Sequence, residues 1–158
     1  MNTEAYGVTM FCDDIRREMN GKLTLVGCYA SELNFDSPPP GNLPRFAALI
    51  NLRIPSSINF KKISIKVVQT DGEDERLLID ANIDMDLEEI TKLDAPALDE
   101  AGRVVLMAFP CQWTNIKFTS PGMIKVRAYI DDETEVRLGA LKINFSKEKT
   151  GQGTGGSQ

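Results

Sequence analysis

The densest group of charged residues follows Met10 and Phe11 and reads Cys12-Asp13-Asp14-Ile15-Arg16-Arg17-Glu18. On a strand, Arg16 and Glu18 are two residues apart, so they share a face and could pair with an aspartate that bends the chain. Asp13, Asp14, Arg16 and Glu18 are therefore the candidate site. Two interpretations remain open: a salt-bridged bend that fixes the register of the first hairpin, or a recognition edge formed by Asp13, Asp14 and Arg16.

The sequence contains no histidine, which removes the commonest general base and the commonest metal ligand. Catalytic triads that rely on histidine are excluded, and ordinary catalytic zinc sites nearly so. Neither glycine-rich phosphate-binding motif occurs between a strand and a helix. We therefore predict a protein that is not an enzyme, with no catalytic residue, no cofactor and no metal ligand.

Carboxylates are the remaining candidates for chemistry. If Asp13 and Asp14 met Asp131 and Asp132 in space, their oxygens would suit calcium; otherwise they are acidic turns at strand ends. A calcium-binding or small-ligand module is thus our second hypothesis. A carboxylate-dependent hydrolase of the glycosidase type is the third.

Cysteine and tryptophan give weaker signals. Cys12, Cys28 and Cys111 form an odd number without a C-x-x-C pair, which favours reduced thiols that act as small buried hydrophobic residues. Trp113 is predicted to anchor the core or the rim of a sheet.

The elements that must position these residues are strands, because apolar and polar residues alternate over residues 48–54, 63–67, 77–85 and 124–130. Asn20-Gly21 predicts a hairpin turn that joins residues 15–19 to residues 22–29. The alternation changes phase beside Gly139, which predicts a β-bulge near Gly139-Ala140.

Residues 104–109 are apolar on both faces, which predicts a strand in the middle of a sheet covered on both sides. Residues 36–41 predict a rigid proline-rich loop, and residues 87–93 one or two helical turns in a connection.

About eight or nine strands and one short helical connection predict an all-β fold, an antiparallel β-sandwich of immunoglobulin-like or C2-like type. A closed barrel is the alternative. We expect one domain over residues 1–147 and a flexible glycine-rich tail over residues 148–158.

Composition limits the partners. The 158 residues carry a net charge of -5 with 42% hydrophobic residues, as expected for a globular chain that binds neither nucleic acid nor an anionic membrane surface. The N-terminus lacks the pattern of a secretory signal, and no apolar run approaches the roughly 18 residues of a membrane span. The sequence therefore predicts a cytoplasmic protein with neutral, cationic or protein partners.

The segment from Phe11 to Tyr29 fits the pattern F-C-D-D-x-R-x-E-x-x-G-K-x-x-L-x-G-x-Y throughout. In this it resembles an uncharacterised family of bacterial and phage proteins. Phe118-Thr119-Ser120-Pro121-Gly122 is also similar to a turn of that family, although Met123 stands where an aromatic residue is expected. The resemblance implies a compact β-domain in a bacterial or phage cytoplasm and supplies no activity.

The leading functional hypothesis is a non-enzymatic β-sandwich that acts through protein contacts as an accessory or assembly factor. Exposed sheet edges or the Pro38-Pro39-Pro40 loop would be its contact surfaces. An exposed edge strand could also support a homo-oligomer.

Overall fold

The computed structural model describes residues 4–71, 73–84 and 104–147. Within these ranges the chain forms nine strands and one short 3₁₀ turn at Met19–Gly21. The strands are β1 (Tyr6–Arg17), β2 (Leu23–Cys28), β3 (Glu32–Phe35), β4 (Gly41–Pro55), β5 (Lys62–Asp71), β6 (Asp74–Asp84), β7 (Val104–Phe118), β8 (Gly122–Ile130) and β9 (Thr134–Phe145).

The strands form two sheets, of order β2-β1-β4-β7 and β3-β9-β8-β5-β6. All pairs are antiparallel except β3 with β9, which run parallel. Residues of both sheets share one buried cluster that includes Phe46 and Ile50 on β4, Ile65 on β5 and Val126 on β8. The all-β sandwich predicted from the alternation is therefore confirmed.

The alternation also places the core correctly on three strands. Ile50, Leu52 and Ile54 of β4 are fully buried, as are the matching positions of β5 and β8. On β6 the predicted apolar face is wrong at Leu77, whose side chain is 52% exposed. The register of β5 with β6 shifts at Val67/Val68, which leaves Leu78 as an extra residue and reverses the facing of Leu77. The side chains beyond Asp80 on this strand lie outside the described residues.

The bulge predicted near Gly139 is confirmed. Val126 pairs with Gly139 and Arg127 pairs with Arg137, so Leu138 is the extra residue of β9. Gly139 has a φ of 142°, which glycine adopts without a steric penalty. Because of the extra residue, Leu138 and Leu141 both face the core although they are three positions apart.

The position predicted for residues 104–109 is wrong. These residues begin β7, which is an edge strand of the four-stranded sheet rather than its centre. Val105 is buried on the core side, whereas Leu106 is 38% exposed on the other side. The strand is apolar on both faces because the outer face of its sheet is itself apolar, not because a second layer covers it within the described ranges.

The predicted connections are found where the structure describes the chain. Asn20 and Gly21 have φ angles of 65° and 75° between β1 and β2, as the hairpin requires. Residues 36–40 form the proline-rich loop before β4. The helical turns predicted over residues 87–93 and the tail over residues 148–158 lie outside the described residues.

Candidate functional site

The four-stranded sheet divides at the charged segment of β1. Strand β1 pairs with β4 from Tyr6, opposite Arg53, to Cys12, opposite Ala47. Beyond Cys12, β1 continues with β2 while β4 continues with β7. A cavity of about 260 Å³ opens between these two ribbons. We call it the fork site, and its lining residues are Asp13, Asp14, Arg45, Phe46, Gln112, Trp113 and Thr114.

The fork explains how residues of opposite strand faces come together. By their place in the alternation, Asp14 and Arg45 belong to the outer face of the sheet, and Phe46 and Trp113 belong to the core side. Where the strands are paired, the backbone of the sheet separates the two faces. Where they part, both sets of side chains reach the same opening.

Asp14 is the centre of an ion-pair group. Its Oδ2 atom lies 3.2 Å from a guanidinium nitrogen of Arg45 and 3.5 Å from Nε of Arg16. The Asp14 side chain is only 19% exposed, whereas both arginines are mostly exposed. Two cations therefore neutralise this carboxylate.

Asp13 has a different partner. The Tyr29 hydroxyl donates a hydrogen bond to its Oδ1 atom, and among the described residues no lysine or arginine lies within ion-pair distance of it. Burial, with that hydrogen bond and the Asp13 charge, raises the pKa of Tyr29 above its usual value. Tyr29 thus remains a hydroxyl donor at neutral pH, and in the described ranges the Asp13 charge has no counter-ion.

Gly27 makes room for the Asp13 carboxylate. Its φ is 65°, and a Cβ added there would lie 2.9 Å from Cγ of Asp13 and closer still to an oxygen. Any larger residue would be strained and would push the carboxylate away from Tyr29. The spacing Gly27-x-Tyr29 in the sequence is the local signal of this arrangement.

The ribbon of β1 and β2 folds over the outer face and forms a second, smaller core. Cys12, Ile15 and Ala47 are buried there against Leu23, Leu25 and Leu49. The Gln112 side-chain amide donates to the Ile15 carbonyl and connects the two ribbons. The fork is therefore held open by packing and one hydrogen bond on its outer side.

The cysteines differ from one another. Burial, the neighbouring Cys28 and nearby carboxylates raise the pKa of the Cys12 thiol to about 11, so it is a poor nucleophile at neutral pH. Cys111 is half-buried, whereas Cys28 is exposed. The prediction that all three are buried is wrong for Cys28, because it lies on the edge strand β2, where no further strand covers it in the described part of the chain.

The predicted network is only partly assembled. Asp13, Asp14 and Arg16 meet at or beside the fork site, but the exposed Glu18 carboxylate makes no hydrogen bond or ion pair with any described residue. The backbone N–H of Glu18 instead closes the turn by donating to the Lys22 carbonyl.

Sequence reasoning missed five contributors to the site, because they lie far apart in sequence or carry no local pattern. Arg45, Phe46, Gln112 and Thr114 were not singled out, and Tyr29 appeared only as a letter of the N-terminal pattern. Trp113 occupies the predicted sheet rim, half-buried, with its ring centre 5.4 Å from that of Phe46.

The acids of the β8–β9 turn serve a separate purpose. Asp131 accepts hydrogen bonds from the backbone N–H groups of Lys61 and Lys62. The Lys62 ammonium lies 2.9 Å from Asp132 and, as hydrogen-bond donor, lowers the pKa of that carboxyl. Within residues 4–71, 73–84 and 104–147, no three histidine, cysteine or acidic residues form a group that could hold a metal ion.

Beyond the small buried core of Cys12 and Ala47, the outer face of the four-stranded sheet carries exposed apolar residues. We define this outer face by Tyr6, Val8 and Met10 on β1 and Leu106 on β7, which are 38%, 57%, 45% and 38% exposed. The Arg53 guanidinium lies over the Tyr6 ring, 5.8 Å from its centre.

Fold and site together define a β-sandwich with a cavity lined by charged and aromatic residues at a fork in one sheet. The chain belongs to a family of unknown function, DUF6941, which matches residues 7–143 and so includes every residue of the fork site. A comparison with curated proteins found no match. In the described ranges, no helix is long and apolar enough to cross a membrane.

Proposed function

We propose that this protein is a non-enzymatic binding module that contacts another protein through the outer face, as a cytoplasmic accessory or assembly factor of bacterial or phage origin. The observation that carries the proposal is the exposure of Tyr6, Val8, Met10 and Leu106 on one side of one sheet. Exposed apolar side chains gathered on one face of a sheet are typical of protein interaction sites.

The register of the strands places these residues on one face of the sheet. Tyr6 and Leu106 are both opposite Arg53, on either side of β4, and Val8 lies next along the same face of β1. The opposite side of β4 carries the fully buried Ile50. The outer face is therefore apolar without belonging to the core, and an aromatic residue with a stacked arginine at its rim suits a protein interface.

The carboxylates of the fork site favour recognition over hydrolysis. Two-carboxylate glycosidases place both acids on either side of the bond that is broken. Here Asp14 is held by two guanidinium groups and Asp13 by the Tyr29 hydroxyl. Both acids are thus engaged in fixing the site, and the calcium hypothesis gains no support from the separate network of Asp131 and Asp132.

Val8→Asp tests the outer face directly, and Leu77→Asp is the matched control because Leu77 is equally exposed but lies on the other sheet. Tagged parent and both variants are incubated with native host lysate, and bound proteins are identified by mass spectrometry. Light scattering on the purified proteins measures self-association.

A partner held by the parent and by Leu77→Asp but lost by Val8→Asp is the expected result. A homo-oligomer that only Val8→Asp dissociates would equally support a contact at this face, with a second copy as the partner. A parent protein that is monomeric and retains no protein would overturn the proposal.

A further inference from the structure

The charges of the fork site are unevenly distributed, because both neighbouring arginines pair with Asp14 whereas Asp13 is exposed beside them. Its lining contains two carboxylates, Asp13 and Asp14, and one guanidinium, Arg45. Arg45 and Arg16 are both directed at Asp14, which leaves Asp13 without a cation among the described residues. A ligand with a positive charge would complete this site, whereas an anion would meet Asp13 and find Arg45 already engaged.

The walls of the cavity also suit a cation. The half-buried Trp113 lines the same cavity as Asp13, and an ammonium or guanidinium group is attracted to aromatic faces. The Gln112 side-chain nitrogen donates to the Ile15 carbonyl. The Gln112 side-chain oxygen and the Thr114 hydroxyl add acceptors to those of the two aspartates at the cavity lining.

The size of the cavity indicates one side chain rather than a larger molecule. About 260 Å³ is below the roughly 300–1,000 Å³ of pockets that enclose drug-sized ligands. A lysine or arginine side chain has an apolar stem that can pack on aromatic rings while its charged end reaches a carboxylate.

We propose that the fork site binds the lysine or arginine side chain of a partner protein, with Asp13 as the charge partner and Trp113 as the aromatic wall. The inference rests on the proposed function, since the outer face would hold the body of that partner. Both lie on the same side of β1: the row of residues that runs from Tyr6 through Met10 continues past the buried Cys12 to Asp14 at the fork.

Trp113 makes the test direct, because it is the only tryptophan in the chain and it lines this cavity. The full chain is titrated at low salt with N-acetyl-lysine methylamide and with N-acetyl-arginine methylamide. N-acetyl-norleucine methylamide is the uncharged control. We expect a saturable change in Trp113 emission with one or both cations, at a dissociation constant on the order of millimolar, and none with norleucine.

Asp13→Asn removes the charge and keeps an oxygen that can accept the Tyr29 hydrogen bond. It should weaken cation binding about tenfold or more. Asp80→Asn, a change of the same type at an exposed acid on the other sheet, should leave binding unchanged. If Asp13→Asn does not fold, amide chemical shifts of Gln112 and Thr114 in the parent protein serve instead, because they should move with lysine and not with norleucine.

Three results would overturn the inference: no saturable response to either cation, an equal response to norleucine, or unchanged binding by a folded Asp13→Asn. An equal response to calcium chloride, lost in Asp13→Asn, would overturn it in favour of a metal site. If cation binding fails while Val8→Asp still loses the partner, only this inference is wrong. If cation binding holds and no partner depends on Val8, the proposed function is wrong instead.

Discussion

Replacing Gly27 with alanine tests how the fork site is built. Gly27 combines two constraints: its φ of 65° and the Asp13 carboxylate beside its Cα. Gly21 is a matched control with the first constraint alone, since its φ is 75° and no atom lies within 4 Å of an added Cβ. The difference between the two substitutions therefore measures the contact with Asp13.

The expected magnitudes follow from these two terms. Holding alanine at positive φ costs about 1–2 kcal/mol, so Gly21→Ala should lose about 1 kcal/mol of unfolding free energy. At Gly27 the new methyl group also displaces Asp13 and so breaks its hydrogen bond with the Tyr29 hydroxyl. This bond has a charged acceptor, but it is partly exposed, so its contribution to stability is about 1 kcal/mol. Gly27→Ala should therefore cost about 2–3 kcal/mol.

Urea unfolding followed by Trp113 fluorescence measures these free energies, and thermal melting gives a second readout. At about 2–4 °C per kcal/mol for a chain of this length, Gly27→Ala should melt about 5–10 °C below the parent. In an Asp13→Ala background the cost of Gly27→Ala should fall to that of Gly21→Ala. Equal costs for both glycines in the parent background would refute the steric argument.

Three further outcomes are expected. The pKa of the Cys12 thiol is raised from about 9 to about 11 in the folded protein, so folding favours the protonated thiol, and the stability that this adds below about pH 9 is lost as the pH rises towards 11. Urea unfolding across this range should therefore show a shallower loss of stability for Cys12→Ala than for the parent. Parallel stability curves for the two proteins would contradict this. Asp131→Ala should lower the free energy of unfolding in urea by about 1–2 kcal/mol, because the Asp131 carboxylate accepts hydrogen bonds from two backbone N–H groups of residues 61–62. Asp131→Asn should recover most of this free energy. Equal stability of the two variants would exclude a structural role for these hydrogen bonds. Val8→Ser should change the free energy of unfolding by less than about 0.5 kcal/mol. Ile50→Ala, on the buried side of the sheet, should lower it by about 2–5 kcal/mol. A large loss of stability in Val8→Ser would mean that the outer face is packed in the free protein.

Much of the fold could be predicted because strand facing is a local property. A side chain alternates with its neighbours whatever the strand pairs with, so residues 48–54, 63–67 and 124–130 showed which positions are buried. Bulges were predictable only where a local residue marks them. Gly139 marked the bulge of β9, whereas nothing in the sequence around Leu77 and Leu78 marked the bulge of β6.

The position of β7 shows the limit of composition. An apolar strand can be buried on both faces or can present one face for binding, and both give the same residue pattern. Which applies to Val105 and Leu106 depends on the strand order, which places β7 at an edge.

The sequence alone determined the secondary structure, the class of fold and the charged segment around Asp13 and Asp14, because each of these follows from residues that are neighbours along the chain. Tertiary structure decided the site. Only the parting of β1 from β4 brings Asp13 to Trp113 and Asp14 to Arg45, and only the packing of Gly27 and Tyr29 fixes the carboxylate. These contacts join residues far apart in sequence, so they depend on strand order and register rather than on local pattern.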